Sequence, residues 1–142
     1  MFREKIKVLD CTVRDGGLMN NHNFDLRFVR EVYKALSEAG IDYMEIGYKN
    51  SQRLFSTKEY GKWKFCNDKD IREVIQGIES ATKISVMVDV DRVDVEDILP
   101  KQDSPVDMIR VATYVKDVDK AIYLTNHFAD KGYEVAVNIM AI

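Results

Sequence analysis

Short apolar runs alternate along this chain with stretches of helical period. Ile6 to Cys11 (IKVLDC) reads as a strand. A helix follows over Asp25 to Ala39, with Asp25 as N-cap, Phe24 and Val29 as a hydrophobic staple and Gly40 as its stop. Leu26, Val29, Tyr33 and Leu36 recur on one face of it. Tyr43 to Tyr48 (YMEIGY) is the second strand. A long connection leads to a helix over about Asp70 to Ser80, with Ile71, Val74, Ile75 and Ile78 inward. Lys83 to Val90 (KISVMVDV) is a third strand, and Val93 to Leu99 a short helix stopped by Pro100. Asp107 to Tyr114 is a fourth strand. A helix over Asp117 to Lys131 buries Val118, Ala121, Leu124, Phe128 and Ala129 and stops at Gly132, and Glu134 to Ile142 (EVAVNIMAI) is a fifth strand.

Alternating β and α elements predict a parallel sheet covered by helices. A five-stranded doubly wound domain fits the length, whereas a complete (β/α)8 barrel needs about 250 residues. The last element decides between them. It is an apolar strand with no helix after it, and a parallel strand requires cover on both faces. The expectation is therefore an α/β chain forming a single domain over residues 1–142, the N-terminal portion of a TIM barrel with about five β/α strands, cut at a strand end.

Composition narrows the partners. Twenty-one basic against twenty-four acidic residues leave a net charge of −3, without the basic stripe of a nucleic-acid binder. The alternation Lys62-Trp63-Lys64-Phe65 is too short to change that and reads as a hairpin or lid. A 46% hydrophobic content suffices for a packed core and excludes disorder. No apolar run approaches the roughly 18–20 residues of a membrane span, and Met1 to Lys5 leads into the first strand without a signal-peptide core. Cys11 and Cys66 form no CxxC pair or disulfide framework, so a reducing cytoplasm is expected.

Chemistry in parallel α/β folds gathers at the C-terminal strand ends. The first strand runs into Asp10-Cys11-Thr12-Val13-Arg14-Asp15-Gly16-Gly17. Strand alternation would put Asp10, Thr12 and Arg14 on one face, and buried charges need partners. Asp15 falls at the opening into the loop, before two glycines that let backbone approach a ligand. Glu45, between Met44 and Ile46 on the second strand, needs a cation, and Arg14 is the natural one. The plainer reading is an Arg–Glu pair that only ties strands together.

These residues carry a resemblance. Asp10 to Gly17, followed by Ala39-Gly40-Ile41-Asp42-Tyr43-Met44-Glu45-Ile46-Gly47, resembles the opening of the DRE-TIM metallolyases. That family of (β/α)8 barrels includes hydroxymethylglutaryl-CoA (HMG-CoA) lyase, 4-hydroxy-2-oxovalerate aldolase, isopropylmalate and homocitrate synthases, and pyruvate carboxyltransferase domains. Gly47-Tyr48-Lys49, Gly61 to Cys66 and Arg110-Val111-Ala112-Thr113 are similar to the aldolase-like branch. The resemblance implies a carbon–carbon lyase or aldolase, or an acyl-condensing enzyme, acting on a small 2-oxo or acyl-CoA substrate. It implies a divalent metal, Mg²⁺ or Mn²⁺, held by Asp15 and by two His of a later-strand H-x-H. It further implies that Arg14 stabilises an enolate, that Glu45 fixes Arg14, and that Thr12 belongs to the substrate side.

The sequence departs from the family at two points. The H-x-H pair is absent, so the metal site is incomplete in this chain and the 142-residue chain alone is expected to be inactive. The aldolases carry a His three residues after the metal Asp, where Leu18 stands here. His22, in the loop after Leu18, is a candidate substitute base or a solvated loop residue, and His127 is a helix-end residue rather than a ligand. Asn138 interrupts the apolar last strand and is a substrate-binding candidate or a satisfied interior amide. Asp89, Asp91 and Thr113 reach the catalytic rim by position only.

Two rivals remain. A phosphoacceptor receiver domain is loosely fitted by Asp89 and Thr113 but lacks the Lys after strand five. A non-catalytic half-barrel would bury its open strand edges against a partner or a copy of itself, giving a homo-oligomer.

Overall fold

The structure, a computed structural model, describes residues 6–141. Met1 to Lys5 and Ile142, the expected end of the fifth strand, lie outside the described residues. The strands are β1 (Leu9–Asp10), β2 (Tyr43–Tyr48), β3 (Lys83–Asp89), β4 (Met108–Tyr114) and β5 (Glu134–Met140). The helices are α1 (Thr12–Gly16), α2 (Leu26–Glu38), α3 (Asp68–Ile75) and α4 (Val118–Asp130). All neighbouring strands pair in parallel, in the order β1-β2-β3-β4-β5. The five strands form a curled half-barrel of α/β architecture, the N-terminal part of a TIM barrel.

Period-two alternation sorts each strand into two faces. Met44 and Ile46, then Ile84, Val86 and Val88, then Ile109 and Val111 point outward. They pack under Val29 and Tyr33 of α2, Ile71 and Val74 of α3, and Ala121, Leu124 and Phe128 of α4. Asp25 caps α2 by accepting from the Phe28 amide at 2.7 Å, a contact that stabilises a helix by about 1 kcal/mol. Gly40 and Gly132 follow α2 and α4 with φ of 72° and 92°, as their predicted stops require.

The opposite face is concave, and side-chain bonds measure its curl. The Tyr43 hydroxyl of β2 donates to Glu134 of β5 at 2.7 Å. Three strand spacings would separate those backbones by about 14 Å in a flat sheet. Lys7, just before β1, reaches the same carboxylate at 3.3 Å. The bowl is thus drawn together at its N-terminal end by one glutamate.

Three predicted elements are shorter than expected, each because side chains take over backbone partners. The first strand pairs only over Leu9–Asp10. Asp10 Oδ1 accepts from the Thr12 amide at 3.0 Å and Oδ2 from the Thr12 hydroxyl at 2.9 Å, turning the chain into α1. The shared strand face of Asp10, Thr12 and Arg14 therefore does not form. α3 spans Asp68–Ile75, and beyond it Gly77 turns at φ 70° while Arg30 donates to the carbonyls of Glu73 and Val74. The helix expected over Val93 to Leu99 reduces to a 3₁₀ turn at Val95–Asp97, because Lys131 Nζ takes the carbonyls of Val95 and Ile98. No helix among the described residues is long and apolar enough to cross a membrane.

Candidate active site

Glu45 faces the bowl from the middle of β2 and has no solvent exposure. Arg14 Nε donates to its Oε1 at 2.8 Å. Arg110 Nη1, from β4, donates to both oxygens at 3.0 Å. One buried carboxylate thus holds two guanidiniums supplied by α1 and a strand two places away. Arg14 also binds the adjacent Asp15 through Nη1. Two arginines and two carboxylates balance in charge, which makes the burial tolerable.

Burial works against the Arg14 charge, but the hydrogen bond and attraction of Glu45 outweigh it and hold the guanidinium more basic than usual. The Cys11 Sγ lies 3.5 Å from Glu45 Oε1. Burial, then Glu45, push this thiol up, with Arg14 opposing, which favours the protonated form. Cys66 is fully buried, and burial raises its thiol as well. Both cysteines are free.

The predicted residues are brought together unevenly. Arg14, Asp15 and Glu45 form one constellation, reached from a short helix rather than the expected strand face. Asn138 joins it through its Oδ1, which accepts from Arg110 Nη2 at 3.2 Å. Thr12 is exposed and its hydroxyl donates to Asp10. Asp89 receives a long bond from Asn50 at 3.4 Å, Asp91 pairs with Lys120 and the Thr113 hydroxyl donates to the Tyr114 carbonyl; none reaches the arginines. His127 sits in the last turn of α4 between Tyr123 and Phe128.

Arg110 was absent from the predicted site, though its signal matches that of Glu45: a charge inside an apolar strand. Tyr48 was also absent. A register shift between Glu45 and Gly47 resets the alternation and turns Tyr48 inward, beside Met87 and Ala112. Gly47 allows this, since a Cβ there would sit 2.1 Å from the Trp63 carbonyl oxygen. The segment above is no hairpin but a 3₁₀ turn, Lys62–Lys64, laid over the end of β2. Trp63 is wholly buried and donates to the Phe24 carbonyl, so the Lys–aromatic alternation makes no basic surface.

His22 is 2% exposed rather than solvated, edge-on to the Tyr48 ring at 5.3 Å, with Nδ1 unpartnered. Burial first, then Lys64 and Arg14, lower its pKa to about 4, so the imidazole is neutral at pH 7.

Asp15 is the one carboxylate at this centre open to solvent, its side chain 58% exposed. Its position suits a single oxygen ligand for a hard cation. Among the described residues no group of three His, Cys, Asp or Glu gathers as a metal cage.

Fold and site define an α/β half-barrel with an Arg14–Glu45–Arg110 cluster on its concave face. No protein-family model matches the chain. Curated proteins do: 4-hydroxy-2-oxovalerate aldolase 6 of Rhodococcus jostii (strain RHA1) is 25% identical over 121 residues, covering 85% of this chain and 34% of that protein. The 4-hydroxy-2-oxovalerate aldolase of Moorella thermoacetica is 26% identical, covering 84% and 35%, and that of Bacillus cereus (strain ATCC 10987 / NRS 248) 25%, covering 95% and 39%. The crystal structure of the N-terminal domain of a candidate aldolase from Bacteroides vulgatus superposes with TM-score 0.77 at 30% identity, over 96% of this chain and 45% of that one. The chain spans little more than a third of the length of the curated relatives it matches. The resemblance to the DRE-TIM metallolyases holds: the homologues of this chain are 4-hydroxy-2-oxovalerate aldolases, matched in their N-terminal portion.

Proposed function

We propose that residues 1–142 act as one unit that supplies the enolate-stabilising half of an aldolase site for 2-oxo acids. The observation that carries this is the Arg14–Glu45–Arg110 cluster inside the bowl, beside the exposed Asp15. In the reaction, the C3–C4 bond of a 4-hydroxy-2-oxo acid breaks. The C4 hydroxyl gives up its proton and becomes an aldehyde, and the electron pair passes to the enolate of the 2-oxo acid. A proton returned to C3 completes a pyruvate-type product.

Arg14, held in place by Glu45, would neutralise the charge growing on the enolate oxygen; such fixed electrostatics usually dominate catalysis. Glu45 and Arg110 are positioning residues. Asn138 orients Arg110 and presents its amide to the bowl as a substrate contact; Thr12 is a rim contact. Asp15 would hold Mg²⁺ or Mn²⁺, with water and other ligands completing the shell. When bound, that cation supplies Lewis-acid polarisation of the 2-oxo group. With one ligand of its own, the 142-residue chain is expected to be inactive alone. The unpaired Cys11 and Cys66 favour a reducing, cytoplasmic setting.

The test is turnover of 4-hydroxy-2-oxovalerate by the intact protein with Mn²⁺, read as released aldehyde and 2-oxo acid. Activity should fall at least about a hundredfold in Asp15→Asn and Arg14→Lys. No turnover with either metal by a protein that carries residues 1–142 together with the missing metal ligands would end the proposal.

A second reading, a non-catalytic half-barrel that assembles through its edges, is favoured by β5. Val137 and Ile139 on its outer side are 42% and 41% exposed, and among the described residues no strand pairs beyond it. Light scattering that shows a homo-oligomer alongside absent turnover would favour it, and a stable monomer would remove it.

A further inference from the structure

Three of the five cations in the connection between β2 and α3 are paired, and of the other two Lys58 is exposed and Lys64 is buried. Lys49 binds Asp68 at 2.6 Å, Lys62 binds Asp70 at 2.6 Å and Arg53 binds Asp94. Lys64 is 7% exposed, more buried than any of these, yet no hydrogen bond or ion pair reaches its Nζ among the described residues. Aromatic rings surround it instead. Its Nζ lies 4.5 Å from the Phe55 centroid, 4.8 Å from Tyr48 and 5.3 Å from Tyr60.

Ring quadrupoles keep an ammonium charged and fix its position, but they neutralise nothing. A cation held this way retains N–H donors for an incoming acceptor. Burial lowers the Lys64 pKa, Asp89 at the end of β3 raises it and Arg92 lowers it further. Arg92 lies 3.9 Å from Asp89, so that carboxylate is shared.

The location matters as much as the charge. Tyr48, whose ring lies under Lys64, is an inward residue of the bowl, and Arg14 Cζ lies 5.9 Å from the same ring centroid. Lys64 and Arg14 both act on His22, which abuts that ring. One aromatic side chain therefore separates the arginine of the proposed reacting centre from a second, unneutralised cation.

We infer that Lys64 is a recognition residue for a second oxyanion, carboxylate or phosphate, on the substrate, held beside the Tyr48 ring that Arg14 also flanks. The oxyanion site stands on the geometry of Lys64. Its meaning for the substrate rests on the aldolase reading, and there it assigns Lys64 to a carboxylate or phosphate of the 2-oxo acid, the C1 carboxylate included.

The test is NMR of the intact protein carrying ¹³C-lysine, with Lys64→Met identifying the Lys64 ε-methylene signal. Succinate, inorganic phosphate and, as neutral control, succinamide are titrated separately. Succinate or phosphate is expected to move the Lys64 signal saturably in the millimolar range, and whichever acts names the oxyanion. Lys64→Met should weaken that anion about tenfold, with Lys64→Arg largely restoring it. A signal unmoved by both anions up to about 50 mM, or moved equally by succinamide, overturns the inference. A parallel titration with Mn²⁺ and pyruvate separates the two claims. Succinate acting where Mn²⁺ and pyruvate do nothing keeps the oxyanion site and removes the aldolase reading, and the opposite pattern removes Lys64 alone.

Discussion

Arg110 spans both carboxylate oxygens of Glu45 with a single nitrogen, 3.0 Å to each, and locks β4 to β2 across the inner face of β3. Glu45 has no solvent exposure, and the side chains of Arg14 and Arg110 are 14% and 16% exposed. Removing the carboxylate charge would leave two guanidiniums facing each other, a change that typically costs about 3–5 kcal/mol. Glu45→Gln should therefore lower stability by about that much in urea denaturation. Arg110→Met, which leaves Arg14 on Glu45, should cost less, and the double variant should fall short of the sum. A loss under about 1 kcal/mol for Glu45→Gln would show that the carboxylate is not the buried keystone described here.

His22 gives a pH dependence of definite sign. Its folded pKa of about 4 lies below the ordinary 6.5. Below pH 6.5 the unfolded chain takes up a proton that the folded chain refuses, so stability is present above 6.5 and falls as pH drops toward 4. The loss should be of order 2 kcal/mol by pH 4. His22→Gln should remove that part of the slope between pH 6.5 and 4, measured by thermal melts across the range. An unchanged slope would mean that His22 is not held neutral.

Gly47 is the pivot that brings Glu45 and Tyr48 to the same face. An added Cβ would approach the Trp63 carbonyl oxygen to 2.1 Å and Cys66 Sγ to 2.7 Å. The first is backbone and cannot swing aside. Gly47→Ala should destabilise by at least about 1–3 kcal/mol and loosen the Lys62–Lys64 turn. Hydrogen exchange at the Cys66 amide, bonded to the Lys62 carbonyl at 2.9 Å, should rise with it.

The half-barrel and the Arg14–Glu45 pair were legible because both leave local marks. Gly40 and Gly132 end helices whose period is plain, and Glu45 is a charge inside YMEIGY, where only a partner explains it. Arg110 leaves the same mark inside MIRVATY, where the family resemblance covers it only as part of the fourth strand. What stayed hidden depends on contacts that no helical or strand period announces. The register shift at Glu45–Gly47 is set by β3 and by the chain crossing above Gly47. The early end of the first strand comes from Asp10 bonding to Thr12. The Lys64 cage joins residues from β2 and two parts of the loop after it. All four residues lie within 48–64, but only the folded loop brings them together.

Glu134 gathers the N-terminal end of the bowl, and its removal should relax the curl rather than unfold the chain. It accepts from Tyr43, Lys7 and Lys83, and these bonds hold its carboxyl below the usual range despite partial burial. The Tyr43 and Glu134 contacts raise Lys7, and those of Glu134 raise Lys83. The depressed carboxylate contributes above its ordinary 4.5 and is lost as pH falls; the raised amines contribute below their ordinary 10.5 and are lost as pH rises through their folded values. The cluster is therefore fully present between those limits. It is largely exposed, so Glu134→Gln should cost no more than about 1 kcal/mol near pH 7 and less in high salt. Its sharper effect should be local. Amide exchange at Tyr43, whose N–H bonds the Val8 carbonyl at 3.0 Å, should accelerate, while the amides of β3 keep their protection. Equal acceleration through β3 would mean that Glu134 supports the whole sheet instead of the curl that closes the bowl beneath Glu45.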